Sequence, residues 1–374
     1  AISAAILALF PLTRGLAHST MTSYFAIMFT ERPIENYHKY SCILQPPAGR
    51  QSMSRCRPFH GLMSYETELI SESECAAMRS QYASGCLYTA KADLNGLCIQ
   101  LFTSDRDHID MWRDNFYACS DRTRSHARLY CITDAEQPLH VAYEPVSATA
   151  FLFNFDYYGW VKSIALGIAG CLLETEHNVF SVHGAALTYC DRGVTFIAPP
   201  KTGKTTQSWG LLRSEDACLI SDDWFFVTLG GRHPRIRGSE KNCYIDADIG
   251  DVWEEYRPLV KNVKFDSNGR GIANVRWVAG PASVIATGSL YSVILLERDP
   301  ADEWAREISA HEALEYMLNN DLCNPHQIVR DPFRTSLRAG FFKKLFESCR
   351  VFLVNTTGTP QETQETIRKI LGAE

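Results

Sequence analysis

The stretch VTFIAPPKTGKTT, residues 194–206, decides the fold that this sequence predicts. A β-branched and aromatic run breaks into a loop that ends in Gly203-Lys204-Thr205, and the pattern predicts a helix directly after it. Such a loop can bind a polyphosphate through its backbone N–H groups and the positive end of the helix. The usual pattern opens with glycine, whereas Ala198 stands in that place and two prolines follow it.

The motif assigns nine consecutive residues to nucleotide binding, with ATP and Mg²⁺ as the expected ligands. Within it, Lys204 would reach the β- and γ-phosphates and the Thr205 hydroxyl would ligate Mg²⁺. The nine residues are Ala198, Pro199, Pro200, Lys201, Thr202, Gly203, Lys204, Thr205 and Thr206.

The segments on both sides of the loop support this interpretation. Upstream, residues 180–187 predict a second strand, joined to the loop strand by a turn at residues 190–193. Downstream, the apolar strand 217–221 ends in Asp222 and Asp223. A carboxylate at a strand end can hold Mg²⁺, and one beside it can accept a proton from an attacking hydroxyl. The alternative for this pair is a turn or a helix cap.

The order of His183-Gly184, strand, Gly-Lys-Thr loop, helix, strand and Asp-Asp resembles the catalytic domain of HPr kinase/phosphorylase and its shorter kinase relatives. More distantly, it is similar to the nucleotide domain of phosphoenolpyruvate carboxykinase. The resemblance covers roughly residues 150–355 and is sharp only at 183–223. It implies an ATP-dependent kinase in which Thr205 and Asp223 hold Mg²⁺, Asp222 accepts the proton of the substrate hydroxyl, and His183 lies near the phosphates.

The sequence departs from this family in one segment. The HPr-specific kinases carry a later glycine-rich signature with a metal-binding Glu, and the nearest segment here, residues 234–240, keeps only an Ile-Arg-Gly core. HPr itself is therefore not implied as the acceptor, and neither is phosphorylase activity. Cations near the transferring phosphoryl group would stabilise its charge, and Arg237 and Arg270 are the best candidates for that role. The alternative is that both arginines are solvated.

The predicted fold class is α/β, with a P-loop-containing mixed-sheet domain of the HPr kinase and carboxykinase type and a smaller N-terminal α/β module. Residues 1–90 stay unassigned, residues 91–150 form the small module, and residues 151–374 form the nucleotide-binding catalytic domain. Helical spacing over residues 157–174 predicts an amphipathic or buried helix that leads into the His-Gly strand.

Composition narrows the class of partner. The 374-residue chain is 45% hydrophobic and carries a net charge of −6, which argues against nucleic acid as the main partner. Its 13 cysteines include no Cys-x-x-Cys pair, so neither a zinc site nor a disulfide framework is indicated. ATP-dependent chemistry predicts a cytoplasmic protein with reduced thiols, and a homo-oligomer is compatible with the sequence.

The apolar run at residues 1–12 is too short to span a bilayer, so no membrane partner is expected. A terminal helix or extension is favoured over the apolar region of a signal peptide, and a start at Met21 is a third interpretation.

The predicted activity is transfer of the γ-phosphoryl group of ATP to a hydroxyl, in a peptide or protein serine or in a small metabolite. Two other classes stay open. Ala198 and the paired prolines would suit a nucleotide-binding regulator with little or no turnover. The Gly-Lys-Thr-Thr sequence would suit a carboxykinase-like lyase, which needs a second metal site.

Overall fold

The computed structural model describes residues 65–302, 304–324 and 328–372. All of them belong to one compact unit that comprises residues 57–374. The apolar run at residues 1–12 and most of the unassigned region 1–90 lie outside the described residues. None of the helices within the described ranges combines the length and the apolar character that crossing a bilayer requires.

A mixed seven-stranded sheet is formed by the N-terminal part of the described chain, in the order β1-β6-β7-β5-β3-β2-β4. Its pairs β1–β6, β3–β5 and β5–β7 are parallel, and the others are antiparallel. The strands are β1 (Glu66–Leu69), β2 (Tyr88–Leu94), β3 (Leu97–Thr103), β4 (Tyr117–Ala118), β5 (Ala127–Ile132), β6 (His140–Glu144) and β7 (Thr149–Phe153).

A mixed nine-stranded sheet follows in the chain, with the path β11-β9-β10-β16-β13-β12-β8 and with β18 joining β16 to β17. Strand β16 runs parallel to β10 and β18, and the other pairs are antiparallel. The strands are β8 (Val179–His183), β9 (Ala185–Tyr189), β10 (Arg192–Ile197), β11 (Ala217–Ser221), β12 (Trp224–Thr228), β13 (Arg235–Gly238), β16 (Thr287–Glu297), β17 (Ala305–Glu307) and β18 (Arg350–Asn355). A separate two-stranded antiparallel sheet pairs β14 (Cys243–Asp246) with β15 (Arg270–Ala273).

The helices complete a mixed α/β fold, so the predicted α/β class with a mixed sheet is confirmed. They are α1 (Glu72–Tyr82), α2 (Arg106–Asn115), α3 (Tyr158–His177), α4 (Lys204–Leu211), α5 (Ile249–Val252), α6 (Arg257–Val260), α7 (Arg276–Ala279), α8 (Ala310–Asn319), α9 (Pro332–Glu347) and α10 (Pro360–Gly372).

Helix α3 connects the two sheets. A single apolar core combines Leu129 of the first sheet, Val161 and Ile168 of α3, and Phe226 of the second sheet. A helix that is apolar all round has no face to give to water and must be buried. Lys162 and Ser163 of this helix therefore lie inside the protein, whereas residues 175–177 at its C-terminal end are exposed.

One predicted strand is in fact two. The sequence predicts a single strand at residues 180–187, whereas β8 ends at His183 and β9 begins at Ala185, on opposite sides of the nine-stranded sheet path. The break is at Gly184, where a Cβ atom would lie 2.6 Å from the Phe196 carbonyl oxygen. Only glycine fits so close to a neighbouring backbone.

The region that the sequence leaves unassigned contains elements of the first sheet. Residues 66–94 contribute β1 and β2 to the first sheet and form α1 between them, although they lie mostly within the region left unassigned. The boundaries of the predicted domains, at residues 90 and 150, stay predictions, and the first sheet itself takes strands from residues 66 to 153.

A glycine in β10 tests the packing of the nine-stranded sheet. A Cβ atom on Gly193 would lie 2.2 Å from the Ser289 carbonyl oxygen, and a backbone atom in a sheet cannot move far. We expect Gly193→Ala to lower the free energy of unfolding by about 1–3 kcal/mol, as overpacking typically does. The measurement is urea denaturation followed by circular dichroism.

The matched control for this change is Gly340→Ala in α9, where a Cβ atom would meet nothing within 4 Å. There the helix propensity of alanine should raise stability by up to about 1 kcal/mol. Equal effects of the two substitutions would contradict the close approach at Gly193.

Candidate active site

The loop between β10 and α4 is folded as a cradle for an anion. The Thr202 hydroxyl donates to the Pro199 carbonyl oxygen at 2.6 Å and closes the loop. Lys201 and Gly203 have positive φ angles of 65° and 97°, and backbone turns of this kind form anion-binding sites in phosphate-binding loops. Gly203 precedes the first residue of α4, so the positive end of the helix opens at the same place.

Ala198 takes the place of the usual first glycine without strain. It is buried in the core beside β10, and its φ is not among the positive values that demand glycine. Pro199 and Pro200 have no N–H to donate. The backbone donors of the cradle therefore come from Lys201 onward.

Asp223 is the carboxylate at the closed end of this cradle. Its Oδ1 accepts from Lys204 Nζ at 2.7 Å and lies 3.2 Å from His183 Nε2. Its Oδ2 accepts from Lys162 Nζ at 2.5 Å. The Lys204 and His183 nitrogens are themselves 3.3 Å apart. Two cations and an imidazole from three different elements thus converge on one carboxylate.

Burial and the charges of this cluster shift the pKa of Asp223, His183 and Lys162. Burial would raise the pKa of Asp223, but Lys162 and Lys204 outweigh it and hold the pKa well below its usual range. Burial and Lys204 together lower the pKa of His183, which is therefore neutral at pH 7. Burial alone would lower the pKa of Lys162, but Asp223 and Glu240 raise it to about 12. The cluster accordingly holds the ionised carboxylate of Asp223 beside the ammonium group of Lys162.

Asp222, the neighbour of Asp223, points elsewhere. Both residues follow the end of β11 at Ser221, but Asp222 has a different hydrogen-bond partner and is only 3% exposed. Its Oδ1 accepts from the Ser208 hydroxyl at 3.2 Å, behind the first turn of α4. Burial raises the pKa of Asp222 to about 6. The structure therefore separates the two carboxylates that the sequence placed side by side.

A cavity of about 780 Å³ extends from the cradle, a volume typical of small-molecule sites. Its charged lining comprises five cations and three carboxylates, so the lining is positive in a protein of net charge −6. The cationic residues are Lys162, Lys201, Lys204, Arg270 and Arg298, and the acidic residues are Asp223, Asp246 and Asp248. A polyphosphate matches this balance of charge.

The two arginines selected from sequence lie in different places. Arg270 lines the cavity, where its guanidinium pairs with Asp246 at 3.1 Å and donates to the Tyr244 carbonyl oxygen at 2.9 Å. Arg237 lies in β13 and lines a second cavity of about 650 Å³. The structure therefore brings Arg270, but not Arg237, to the cradle.

Sequence reasoning missed Lys162 and Glu240. Lys162 Nζ contacts Asp223 and lies 3.1 Å from Glu240 Oε1. The side chains of Lys162 and Glu240 are almost fully buried. A signal for Lys162 was present, because it is the one lysine in the apolar stretch 158–173. A charge within such a helix has to be compensated by a partner.

The oxygen donors of the cavity suit a magnesium ion that is bound together with phosphates. Thr205 and Asp223 both line the cavity, and Asp223 is ionised. Within the described ranges, no group of three or more His, Cys, Asp and Glu side chains is placed to hold a metal. Mg²⁺ commonly takes one or two carboxylates and completes its shell with substrate phosphates and water, and the residues present fit that mode.

Comparisons with known proteins add little to this geometry. No family model matches the chain, and no curated protein does. The structure is similar to that of the HPr(Ser) kinase/phosphatase from Coxiella burnetii, with 14% sequence identity over 52% of this chain and 97% of that chain. The TM-score is 0.30, a level that carries no argument. The family resemblance of residues 183–223 therefore stays a prediction.

The raised pKa of Asp222 predicts a stability that depends on pH. A carboxyl whose folded pKa is about 6, above its unfolded value of about 3.9, stabilises the fold only when protonated. That stability is lost as the pH rises through 6. We expect Asp222→Asn, which keeps an oxygen for Ser208, to be more stable than the unaltered protein at pH 7.5 by up to about 3 kcal/mol.

The stability gain of Asp222→Asn should shrink toward zero near pH 4. Urea denaturation at several pH values, without metal or nucleotide, measures this gain. The control is Asp216→Asn at an exposed aspartate, for which no such trend is expected. A stability gain independent of pH would contradict the buried, ionised state of Asp222 at neutral pH.

Proposed function

We propose that this protein is an ATP-dependent phosphotransferase that transfers the γ-phosphoryl group to a hydroxyl. The observation that carries the proposal is the convergence of Lys204, His183 and Asp223 within 3.3 Å at the closed end of the cradle. Phosphoryl transfer needs positioning and charge stabilisation more than covalent chemistry, and cations and oxygen donors around one point supply both.

Each residue of the site has a proposed task. The N–H groups from Lys201 onward and the start of α4 bind the β- and γ-phosphates, with Lys204 as their cation. Thr205 and Asp223 would hold Mg²⁺, which would supply positive charge beside the phosphates. Arg270 lines the same cavity and would stabilise the charge of the transferring phosphoryl group.

The proton of the attacking hydroxyl would pass to the ring of His183, because Asp223 is held ionised by the neighbouring cations. Asp222 was expected to take that proton, but it does not line the cavity. We therefore propose that Asp222 acts through Ser208 and fixes the start of α4. Arg237 has no proposed role in the reaction, because it lines a different cavity.

The acceptor is proposed only by class, as a serine in a peptide or protein or a hydroxyl-bearing metabolite. A screen with radiolabelled ATP against metabolites, peptides and cell lysate tests the activity, and the Lys204→Ala variant provides the background. Binding of ATP with no transfer to any acceptor would favour a nucleotide-binding regulator instead.

Lys204 should be essential to transfer. We expect Lys204→Ala to lower the rate by on the order of 10²–10³, because a preorganised cation at developing charge contributes about that much. Single-turnover measurement with a labelled acceptor checks the rate. The control is Lys343→Ala on the exposed face of α9, which should leave the rate unchanged. Near-normal transfer by Lys204→Ala would show that the cradle is not the site of phosphoryl transfer.

Asp223 should account for the effect of magnesium on nucleotide binding. Calorimetry of the unaltered protein should show weaker ATP binding after Mg²⁺ is chelated, because Asp223 would be the carboxylate that holds the metal of a Mg·ATP complex. We expect Asp223→Asn to bind ATP with about the same affinity with and without Mg²⁺, since an amide holds a hard cation poorly.

The comparison variant is Asp222→Asn, in which the dependence on Mg²⁺ should persist. A loss of that dependence in Asp222→Asn but not in Asp223→Asn would show that the two roles are exchanged.

A further inference from the structure

Lys162 is a buried cation that no motif of the sequence assigns. It lies in the first turns of α3, and its side chain is 1% exposed. Its Nζ contacts Asp223 Oδ2 at 2.5 Å and Glu240 Oε1 at 3.1 Å, and it lies 5.2 Å from the centre of the Tyr244 ring. A lysine so enclosed has a function in charge compensation or in catalysis, because burial of an ammonium group is costly.

Two lysines share the carboxylate of Asp223, one on each oxygen. Lys204 Nζ binds Oδ1 at 2.7 Å and Lys162 Nζ binds Oδ2 at 2.5 Å. The two lysines are not equivalent, because Lys204 begins the helix at the cradle whereas Lys162 is fixed between the sheets. A polyphosphate in the cradle competes with Asp223 for Lys204, but it does not compete in the same way for Lys162.

We propose that Lys162 is the permanent counter-charge of Asp223, which allows Lys204 to leave that carboxylate and bind the phosphates. This inference rests on the proposed function and makes Lys162 a positioning residue. Without Lys162, the transfer of Lys204 to a phosphate would leave Asp223 ionised in a poorly hydrated place. Breaking one side of such a buried charge pair is costly.

Lys162 is held in place from the first sheet. Glu240 Oε1 also accepts from the Asn115 side-chain amide at 2.9 Å, and the Asn115 side-chain oxygen accepts from the Tyr158 hydroxyl at 3.1 Å. Asn115 is the last residue of α2, which packs on the seven-stranded sheet. A chain of polar contacts through Asn115, Glu240 and Lys162 thus connects the first sheet and its helix α2 to Asp223.

The test compares ATP affinity with and without Mg²⁺ by calorimetry on the full chain. In Lys162→Met, we expect metal-free ATP to bind roughly tenfold or more weakly than in the unaltered protein, because Lys204 then has to compensate Asp223. Saturating Mg²⁺ compensates Asp223 directly and should return the affinity to within about threefold of the unaltered value. General damage to the fold would lower both affinities alike.

A second variant, Glu240→Gln, should not weaken the binding of metal-free ATP. Glu240→Gln keeps an oxygen for Lys162 and Asn115 but removes one negative charge, so Lys162 compensates Asp223 alone. Metal-free ATP should then bind at least as tightly as to the unaltered protein. If Lys162→Met does not fold, the metal-free ATP affinity of Glu240→Gln tests the inference alone.

Chemical rescue separates charge from shape. In Lys162→Ala, added ethylamine should restore metal-free ATP binding, since the space left beside two carboxylates accepts a small ammonium ion, whereas ethanol should not restore it. Unchanged metal-free affinity in Lys162→Met, weakened affinity in Glu240→Gln, or equal rescue by ethanol would each overturn the inference. If the unaltered protein binds no ATP either with or without Mg²⁺, the proposed function itself is wrong.

Discussion

The structure depends on keeping the carboxylate of Asp223 charged in a place that is only 16% exposed to water. An isolated carboxylate there would take up a proton rather than stay ionised. Lys162, Lys204 and His183 prevent this, each with a nitrogen within 3.2 Å of one of its oxygens. The three groups come from α3, α4 and β8, so the position of Asp223 fixes how these elements meet.

The core between the sheets explains how such precise placement is maintained. Helix α3 is buried against both sheets, and its first turns carry Lys162 to the end of β11. A second buried pair, Arg338 with Glu174, joins the C-terminal half of α3 to α9. Each end of the helix is therefore fixed by an ion pair as well as by apolar packing. Buried ion pairs contribute little net stability, but they leave few alternative arrangements of the elements they join.

Much of the fold follows from local patterns, whereas the site follows from tertiary contacts. Apolar periodicity predicts the helix that became α3, and the apolar run 217–221 coincides with β11. The strand predicted at residues 180–187 failed because the pattern cannot report how close the Phe196 backbone comes to Gly184. Strand alternation alone could not settle which of Asp222 and Asp223 faces the cavity, because β11 ends before both.

The partners of Lys162 are also beyond the reach of a motif. Glu240 is 78 residues away in sequence and Asp223 is 61 residues away, and both meet Lys162 only through the packing of the sheets. Arg237 shows the reverse case, because its Ile-Arg-Gly setting looked functional, yet β13 places it at a different cavity. Spacing predicts a cradle made of consecutive residues well, but it says little about cations contributed by distant elements.

The two prolines of the cradle change how a polyphosphate would be held there. Pro199 and Pro200 remove two backbone donors but restrict the chain before Lys201, and the Thr202 hydrogen bond to the Pro199 carbonyl fixes the turn further. A preorganised loop loses less conformational entropy on binding. With fewer backbone donors, more of the attraction comes from the side-chain cations of the cavity. Attraction between partly exposed charges is screened by salt, so nucleotide affinity in this cradle should depend on ionic strength more than in a loop rich in glycine.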